Sequence, residues 1–409
     1  MMRRVVVTGI GMITPVGTGM DKSWSSLMSG QSGVQEVKSF DPSKFRVKIA
    51  GEVKDFDPRT FMSLTQQERM GRGAQYTYAV TQMAIEDAGL SIGELTSSMV
   101  GFYLGSTMGE AQVLENIIKN QVLGRPVTRQ EYMHFPSHQM ISAVMDEFKL
   151  NGPSNFFYNA CAAGNYAIGM AADLIRRGKV DIAVSGGVDV ISEVAFTGFN
   201  RLLSLDPERC RPFDKNRKGL VVSEGAAVLI MEEMEHALKR GANIYAEFSG
   251  YGLGMDAHHV TAPHPQGEGA LRSIETALAN AHLKPEDIDY ISAHGTGTPA
   301  NDKAESYAIK KVFGEQGEVP PVSSIKSMLG HAMGAASAIE AAASCLMITN
   351  QVMLPTINFE EHDTNCVQDC VANIPREAEI RHIASNAFAF GGNTACIILS
   401  RFQEEVQPA

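Results

Sequence analysis

The apolar positions of this chain fall into short β-branched runs and longer stretches of helical period. Arg4–Thr8 (RVVVT) is β-branched and ends in Gly-x-Gly, which predicts a buried first strand and then a loop. Residues 71–88 carry helical periodicity, and Val100–Leu104 (VGFYL) reads as a second strand. The run 155–160 is largely apolar and leads into Cys161. After it, 162–177 is alanine-rich with basic residues last, the composition of a helix end. Strands follow at 180–187 (VDIAVSGG) and 226–231 (AAVLIM). Strands alternating with helices predict an α/β protein with a largely parallel core.

Near Gly241 the pattern restarts. Residues 246–253 (AEFSGYGL) run into Gly-x-Gly and echo VVVTGIGM at 5–12. A helix over 269–281, a strand over 288–293 and a small-residue helix near 331–347 come next, then strands at 384–388 and 395–400. The order β-α-β-α-β-β thus occurs twice, predicting two similar halves, 1–240 and 241–409. No low-complexity linker separates them, so they are expected to pack as one body. The polar tail 403–409 is expected to be mobile.

Composition narrows the partners. The chain has 409 residues, 44% hydrophobic and 20% charged, with net charge −11. That balance argues against general binding of nucleic acid or an anionic membrane. The six cysteines are scattered and make no disulfide framework. Cys366 and Cys370 bracket three residues, but no second pair completes a zinc pattern, so no metal is expected. The apolar N-terminal run is broken early by glycines and a proline, unlike a signal peptide. No apolar run approaches the ~20 residues of a membrane span, and a reducing cytoplasm is the default expectation.

Four segments could carry chemistry. FYNACAAGN (157–165) sets Cys161 where a strand gives way to a helix. Helix N-terminal N–H groups lower a thiol pKa and can hold an oxyanion, although a packing cysteine fits the segment equally well. AHGTGTP (293–299) presents His294 on a loop after a strand, where a merely satisfied loop histidine is the plain alternative. SSIKSMLGHAMGAA (323–336) flanks a turn with Lys326 and His331, which could equally be a surface lysine and a helix-start histidine. NAFAFGG (386–392) joins two strands, as a tight hairpin would.

Together, and in this order, these segments resemble those of the β-ketoacyl synthases, the condensing enzymes of fatty-acid and polyketide synthesis within the thiolase-fold superfamily. The opening VVVTGIGMITPVG and RPFDKNRKGLVVSEGAA (211–227) extend the resemblance over essentially the whole chain. It is nearest to discrete elongating synthases and ketosynthase subunits of dissociated polyketide systems. The resemblance implies an α/β thiolase fold, two similar halves in five layers α-β-α-β-α. It implies decarboxylative Claisen condensation of a cysteine-bound acyl chain with malonyl-acyl carrier protein. Cys161 takes the acyl chain, while His294 and His331 stabilise the enolate formed as carbon dioxide leaves. Lys326, paired with Glu340, supports the site electrostatically. The N–H groups of Cys161 and Phe390 form the oxyanion hole, and Phe390 gates the acyl pocket. Thr296 and Thr298 hold the phosphopantetheine arm, and Met108 limits acyl length. No separate cofactor is implied. The partners implied are the carrier protein and a second chain, identical or related.

Departures from the family concern the substrate. Lys218 stands where aspartate is usual, Leu220 where phenylalanine is usual, and Ala389 replaces a glycine beside the gate. NDKAE (301–305) and SEGAA (223–227) lean toward polyketide subunits, polyene or aromatic. His258, His259 and His264 fall in a loop that the family places near the pantetheine tunnel. Arg69, Arg72, Arg125, Arg129 and Arg201 could supply a basic patch for an acidic carrier. Three rivals share the fold. A thiolase usually lacks the Lys326 motif, a chain-length factor lacks the cysteine, and an initiating synthase has asparagine in place of His331.

Overall fold

The computed structural model describes residues 3–314 and 318–404; the tail expectation falls from residue 405 onward outside them. The first half contributes strands β1 (Val5–Thr14), β2 (Val100–Gly105), β3 (Ser154–Phe157), β4 (Ile182–Asp189) and β5 (Gly225–Glu233). Between them lie helices α1 (Arg72–Asp87), α2 (Gln139–Phe148) and α3 (Ala163–Arg176). The second half contributes β6 (Ala246–Met255), β7 (Tyr290–Ser292), β8 (Val322–Ser323), β9 (His382–Phe388) and β10 (Asn393–Ser400). Its helices are α4 (Glu268–Ala281), α5 (Pro299–Phe313) and α6 (Ala336–Asn350).

The strands run in the order β8-β7-β9-β10-β6-β1-β5-β4-β2-β3. Each half repeats one scheme. Its second strand pairs in parallel with the third and fourth, and its fifth pairs antiparallel with the first and fourth. The halves join where β1 meets β6, through Val6 opposite Glu247 and Val7 opposite Ala246. The core is therefore mixed and not largely parallel. The order in each half is β-α-β-α-β-α-β-β, one helix and one strand longer than the sequence predicts. Of the extra strands, β3 is the four-residue strand that leads toward Cys161, and β8 has only two residues, too few for a periodicity to register.

Three apolar cores separate five layers. Helices α1 and α2 cover one face of the strands of the first half, and α4 and α5 cover one face of those of the second. Helices α3 and α6 lie between the two halves of the sheet. Residues 336–348 of α6 are all buried, and its residues are mostly small or apolar around the whole circumference, as a central helix requires. The Gly-x-Gly motifs are strand interior and not loop, because β1 continues to Thr14 with every residue buried. A Cβ on Gly11 would lie 1.9 Å from the Val80 carbonyl of α1, and one on Gly252 would lie 2.1 Å from the Ser273 carbonyl of α4. Bare backbone thus lets a helix sit directly on the first strand of each half.

One carboxylate stitches the layers around Cys161. Asp189, at the end of β4, is fully buried. It accepts hydrogen bonds from Ser106 Oγ (2.7 Å), the N–H of Thr107 (2.8 Å) and Met108 (2.8 Å) in the first half, and the N–H of Gly334 (2.6 Å) in the second. Replacing it with alanine strands four donors in a dry interior. Asp189→Ala is expected to lower stability by about 3 kcal/mol, since buried donors lose their full solvation. A urea midpoint that falls with unchanged slope checks this, and an unchanged midpoint would refute it.

Candidate active site

Cys161 lies in a 3₁₀ turn, Ala160–Ala162, between β3 and α3. The preceding Ala160 has φ +46°, in the left-handed region that alanine rarely occupies. Such strain persists only where surrounding packing over-determines it, and it turns the next residue toward the cavity. Cys161 lines a cavity of about 310 Å³ together with His294, His331, Thr296, Thr298, Phe388 and Phe390. Burial pushes its thiol up to about 12; the Lys326 charge and the N–H groups of Phe390 and Cys161 itself pull the other way. The sequence reading expected a helix N-terminus to lower this pKa. Desolvation of a buried thiol outweighs it.

His294 follows β7 and is pinned through its backbone. Its N–H and that of Gly295 each donate to a Glu305 carboxylate oxygen at 2.8 Å. Lys326 Nζ donates to the His294 carbonyl at 2.7 Å. His331 follows a turn at Gly330 and is held by main-chain bonds to Val221 and Ser223 in the first half. The Met333 N–H donates to His331 Nδ1 at 3.2 Å, which leaves the ring proton on Nε2. The two imidazoles meet edge to face with centroids 5.3 Å apart, and Phe388 stands 5.7 Å from His294. Burial, reinforced by the Lys326 charge, holds both well below the usual histidine range. They are neutral N–H donors at the pH of a cell.

Behind them, Lys326 and Glu340 form an ion pair with both side chains only 2% exposed. Burial raises the Glu340 carboxyl to about 7 against the pull of Lys326. The threonine turn is equally built. Thr296 and Thr298 hydroxyls share a 2.9 Å hydrogen bond, and Asp302 at the start of α5 accepts the N–H of Thr296 and Gly297. Asp302 and Glu305 are positioning residues that the sequence reading passed over. Asp302 in the first turn of α5 and Glu305 three positions on share one helix face, a spacing that NDKAE already shows in the sequence.

Other expectations divide. Phe390 packs against Phe199 with centroids 5.9 Å apart, and the Gly391 N–H donates to the Val260 carbonyl at 2.7 Å. That bond ties the Phe390–Gly392 turn to the loop carrying the three histidines, of which His259 lines the cavity while His258 and His264 meet edge to face. Ala389 has φ −137°, ordinary extended backbone, so no glycine is needed there. Met108 stands outside the cavity lining, half-buried in the turn bonded to Asp189. Arg69, Arg125, Arg129 and Arg201 are exposed. Arg72 is not patch material: it pairs with buried Glu224 at 3.2 Å and stacks on Tyr76 at 4.8 Å, so its charge is spent inside the fold.

A buried thiol, two neutral imidazole donors and two backbone N–H groups in one small cavity can carry an acyl thioester and stabilise an enolate oxygen. Comparison with known proteins agrees. Residues 2–237 match the model of the β-ketoacyl synthase N-terminal domain, and 245–360 match that of the C-terminal domain. The chain is 39% identical to 3-oxoacyl-[acyl-carrier-protein] synthase 2 of Coxiella burnetii (strain RSA 493 / Nine Mile phase I), covering 98% of this chain and 99% of that protein. The corresponding Synechocystis protein is also 39% identical, with the same coverage. Among solved structures, the ishigamide ketosynthase/chain length factor superposes with TM-score 0.95 at 41% identity, over 98% of this chain and 100% of that one. A type II polyketide ketosynthase in complex with its acyl-carrier protein and bound to a hexaketide gives 0.91 at 30% identity, with the same coverage. From its two matched domains and its near-complete alignment with these synthases, this chain belongs to the β-ketoacyl synthase family.

Proposed function

We propose that this chain elongates an acyl chain held on Cys161 by decarboxylative condensation with malonyl-acyl carrier protein, releasing 3-oxoacyl-carrier and carbon dioxide. The observation that carries it is the convergence of Cys161, His294 and His331 on one cavity, with the Lys326–Glu340 pair behind them. In the first half-reaction the Cys161 sulfur attacks the acyl-carrier thioester and its proton leaves on the carrier thiol. The N–H groups of Cys161 and Phe390 hold the oxyanion. In the second, malonyl carbon dioxide departs and the enolate oxygen accepts from the His294 and His331 imidazoles. The carbanion carbon then bonds to the acyl carbonyl, and Cys161 leaves as thiolate and regains a proton from solvent. Phe390 opens an acyl pocket beyond the present cavity, Met108, outside that cavity's lining, limits the depth of the opened pocket, and Thr296 and Thr298 bind the pantetheine arm. Arg69, Arg125, Arg129 and Arg201 meet the acidic carrier. No cofactor beyond that arm is required, residues 1–240 and 241–409 act as the two halves, and the reaction belongs in the cytoplasm.

A second chain completes the enzyme. Strand β3 ends the sheet with Ser154 and Asn155 exposed, and Tyr158 just after it is 61% exposed. An open edge flanked by aromatic surface favours pairing with another chain. The homodimer and the heterodimer with a chain-length-factor-like subunit both fit, the latter favoured by the ishigamide relative, which is a ketosynthase/chain length factor.

The two half-reactions separate by mutation. Cys161→Ala is expected to abolish elongation, losing at least about 10³ in rate. His331→Ala is expected to lose about 10²–10³ in malonyl decarboxylation while a reactive acyl donor still labels Cys161 by mass spectrometry. Elongation at wild-type rate by Cys161→Ala would sink the proposal. A loss of labelling with decarboxylation intact would refute the role of His331.

The pKa directions give a second check. Both imidazoles lie below their usual value, so they remain neutral as pH falls through the range where free histidine takes a proton. Malonyl decarboxylation should therefore stay level from about pH 8 to about pH 6, and a decline with an apparent pKa near the free value of about 6.5 would contradict it. The Cys161 thiol lies above its usual value, so its alkylation by iodoacetamide should keep rising about tenfold per unit through about pH 9 without a plateau.

A further inference from the structure

The cavity runs from a buried floor at Cys161, His294 and His331 to an open mouth, where Leu203 and Val260 are 69% and 73% exposed. Lys218 is the only lysine or arginine among the described residues that line it. The one lining carboxylate, Asp256, is buried and already accepts the N–H of His264 and Gly269. The mouth therefore presents a single mobile positive charge.

Its place is fixed by its neighbours. The Gly219 carbonyl lies 2.8 Å from where a Cβ on Gly297 would stand, so Lys218 adjoins the turn between Thr296 and Thr298. Leu220 donates its N–H to the Ser204 carbonyl at 2.9 Å, which braces the segment on the other side. The Lys218 side chain is 53% exposed, and Nζ stands 3.5 Å from Glu208 Oε1. Exposed pairs of this kind hold weakly. Glu208 has a second partner, since its other oxygen accepts from the buried Arg211 guanidinium at 3.0 Å. Lys218 can turn to the mouth while Glu208 stays neutralised.

We propose that Lys218 binds the phosphodiester at the outer end of the carrier's pantetheine arm. This rests on the carrier-dependent reading above. An arm whose thioester sits at Cys161 and whose amides lie along Thr296 and Thr298 brings its phosphate outward past the threonine turn. A lysine ammonium serves there as a point charge for an anion that the rest of the mouth does not otherwise neutralise. Lys218 is thus a specificity residue for a phosphorylated over a neutral arm.

The test is equilibrium binding of 4′-phosphopantetheine and of pantetheine to the full chain, with any co-purifying subunit, followed by calorimetry. The wild type is expected to bind the phosphorylated compound about tenfold more tightly, the scale of one charge-assisted hydrogen bond, with the gap narrowing as salt is raised. Lys218→Ala should erase that preference and Lys218→Arg should keep it. Glu208→Gln, which removes the competing carboxylate, should widen it. In turnover, Lys218→Ala should raise KM for malonyl-carrier far more than it lowers kcat. Equal binding of the two compounds by the wild type, or a preference that survives in Lys218→Ala, overturns the proposal. A loss confined to coenzyme A thioesters and absent with the carrier overturns the assignment to the carrier arm. If Cys161 is acylated by phosphorylated and neutral thioesters at equal KM, this proposal falls and the condensation reading stands. If the phosphate preference holds but Cys161 never carries an acyl group, the reverse is true.

Discussion

The ion pair between Lys326 and Glu340 is the constraint around which the site is arranged. Two charges sit in the central layer, each side chain 2% exposed, one after the short strand β8 and one on α6. An isolated buried charge is prohibitive, so neither residue can be lost singly; breaking such a pair costs about 3–5 kcal/mol, against at most about 1 for an exposed one. The pair does more than hold the helix. Through Nζ it fixes the His294 carbonyl, and the Lys326 charge adds to the burial that keeps both imidazoles unprotonated. A lysine in water could do neither, because solvent would screen it over the same distance.

That arrangement exists only because the two halves approach closely. Cys161, Asp189 and the Val221–Ser223 segment come from the first half, and His294, Lys326, His331 and Phe390 from the second. The β1–β6 junction pairs only two residues of each strand, so the halves are held chiefly by α3, α6 and the bonds crossing between them. Asp189, bonded to Gly334, and the bridge from His331 to Val222 are such crossings, and the second ends on the cavity wall at His331. The forces that join the halves are those that shape the site.

Strongly patterned elements were legible along the chain. The helix read over 71–88 is Arg72–Asp87, the one over 162–177 is Ala163–Arg176, and the one over 269–281 is Glu268–Ala281, since each shows a whole face of apolar or small residues over at least three turns. The two-residue strand β8 was not, and neither was strand direction. Gly-x-Gly was misread as a loop because glycine signals a turn when read locally. Its actual role, contact with a helix carbonyl some seventy positions away for Gly11, has no local signature.

The sequence by itself determined the family, the α/β alternation, the duplicated halves and which cysteine, histidines and lysine are the candidates for the chemistry. These are properties of residue type and order, and they survive without coordinates. Tertiary structure alone decided the protonation of those groups, because a pKa reflects burial and the neighbours of the folded state. It made Cys161 a thiol and kept His294 and His331 neutral. It also took Arg72 out of the surface patch and set Lys218 at the cavity mouth. A charge read from sequence has a sign but no partner, and only folding assigns one.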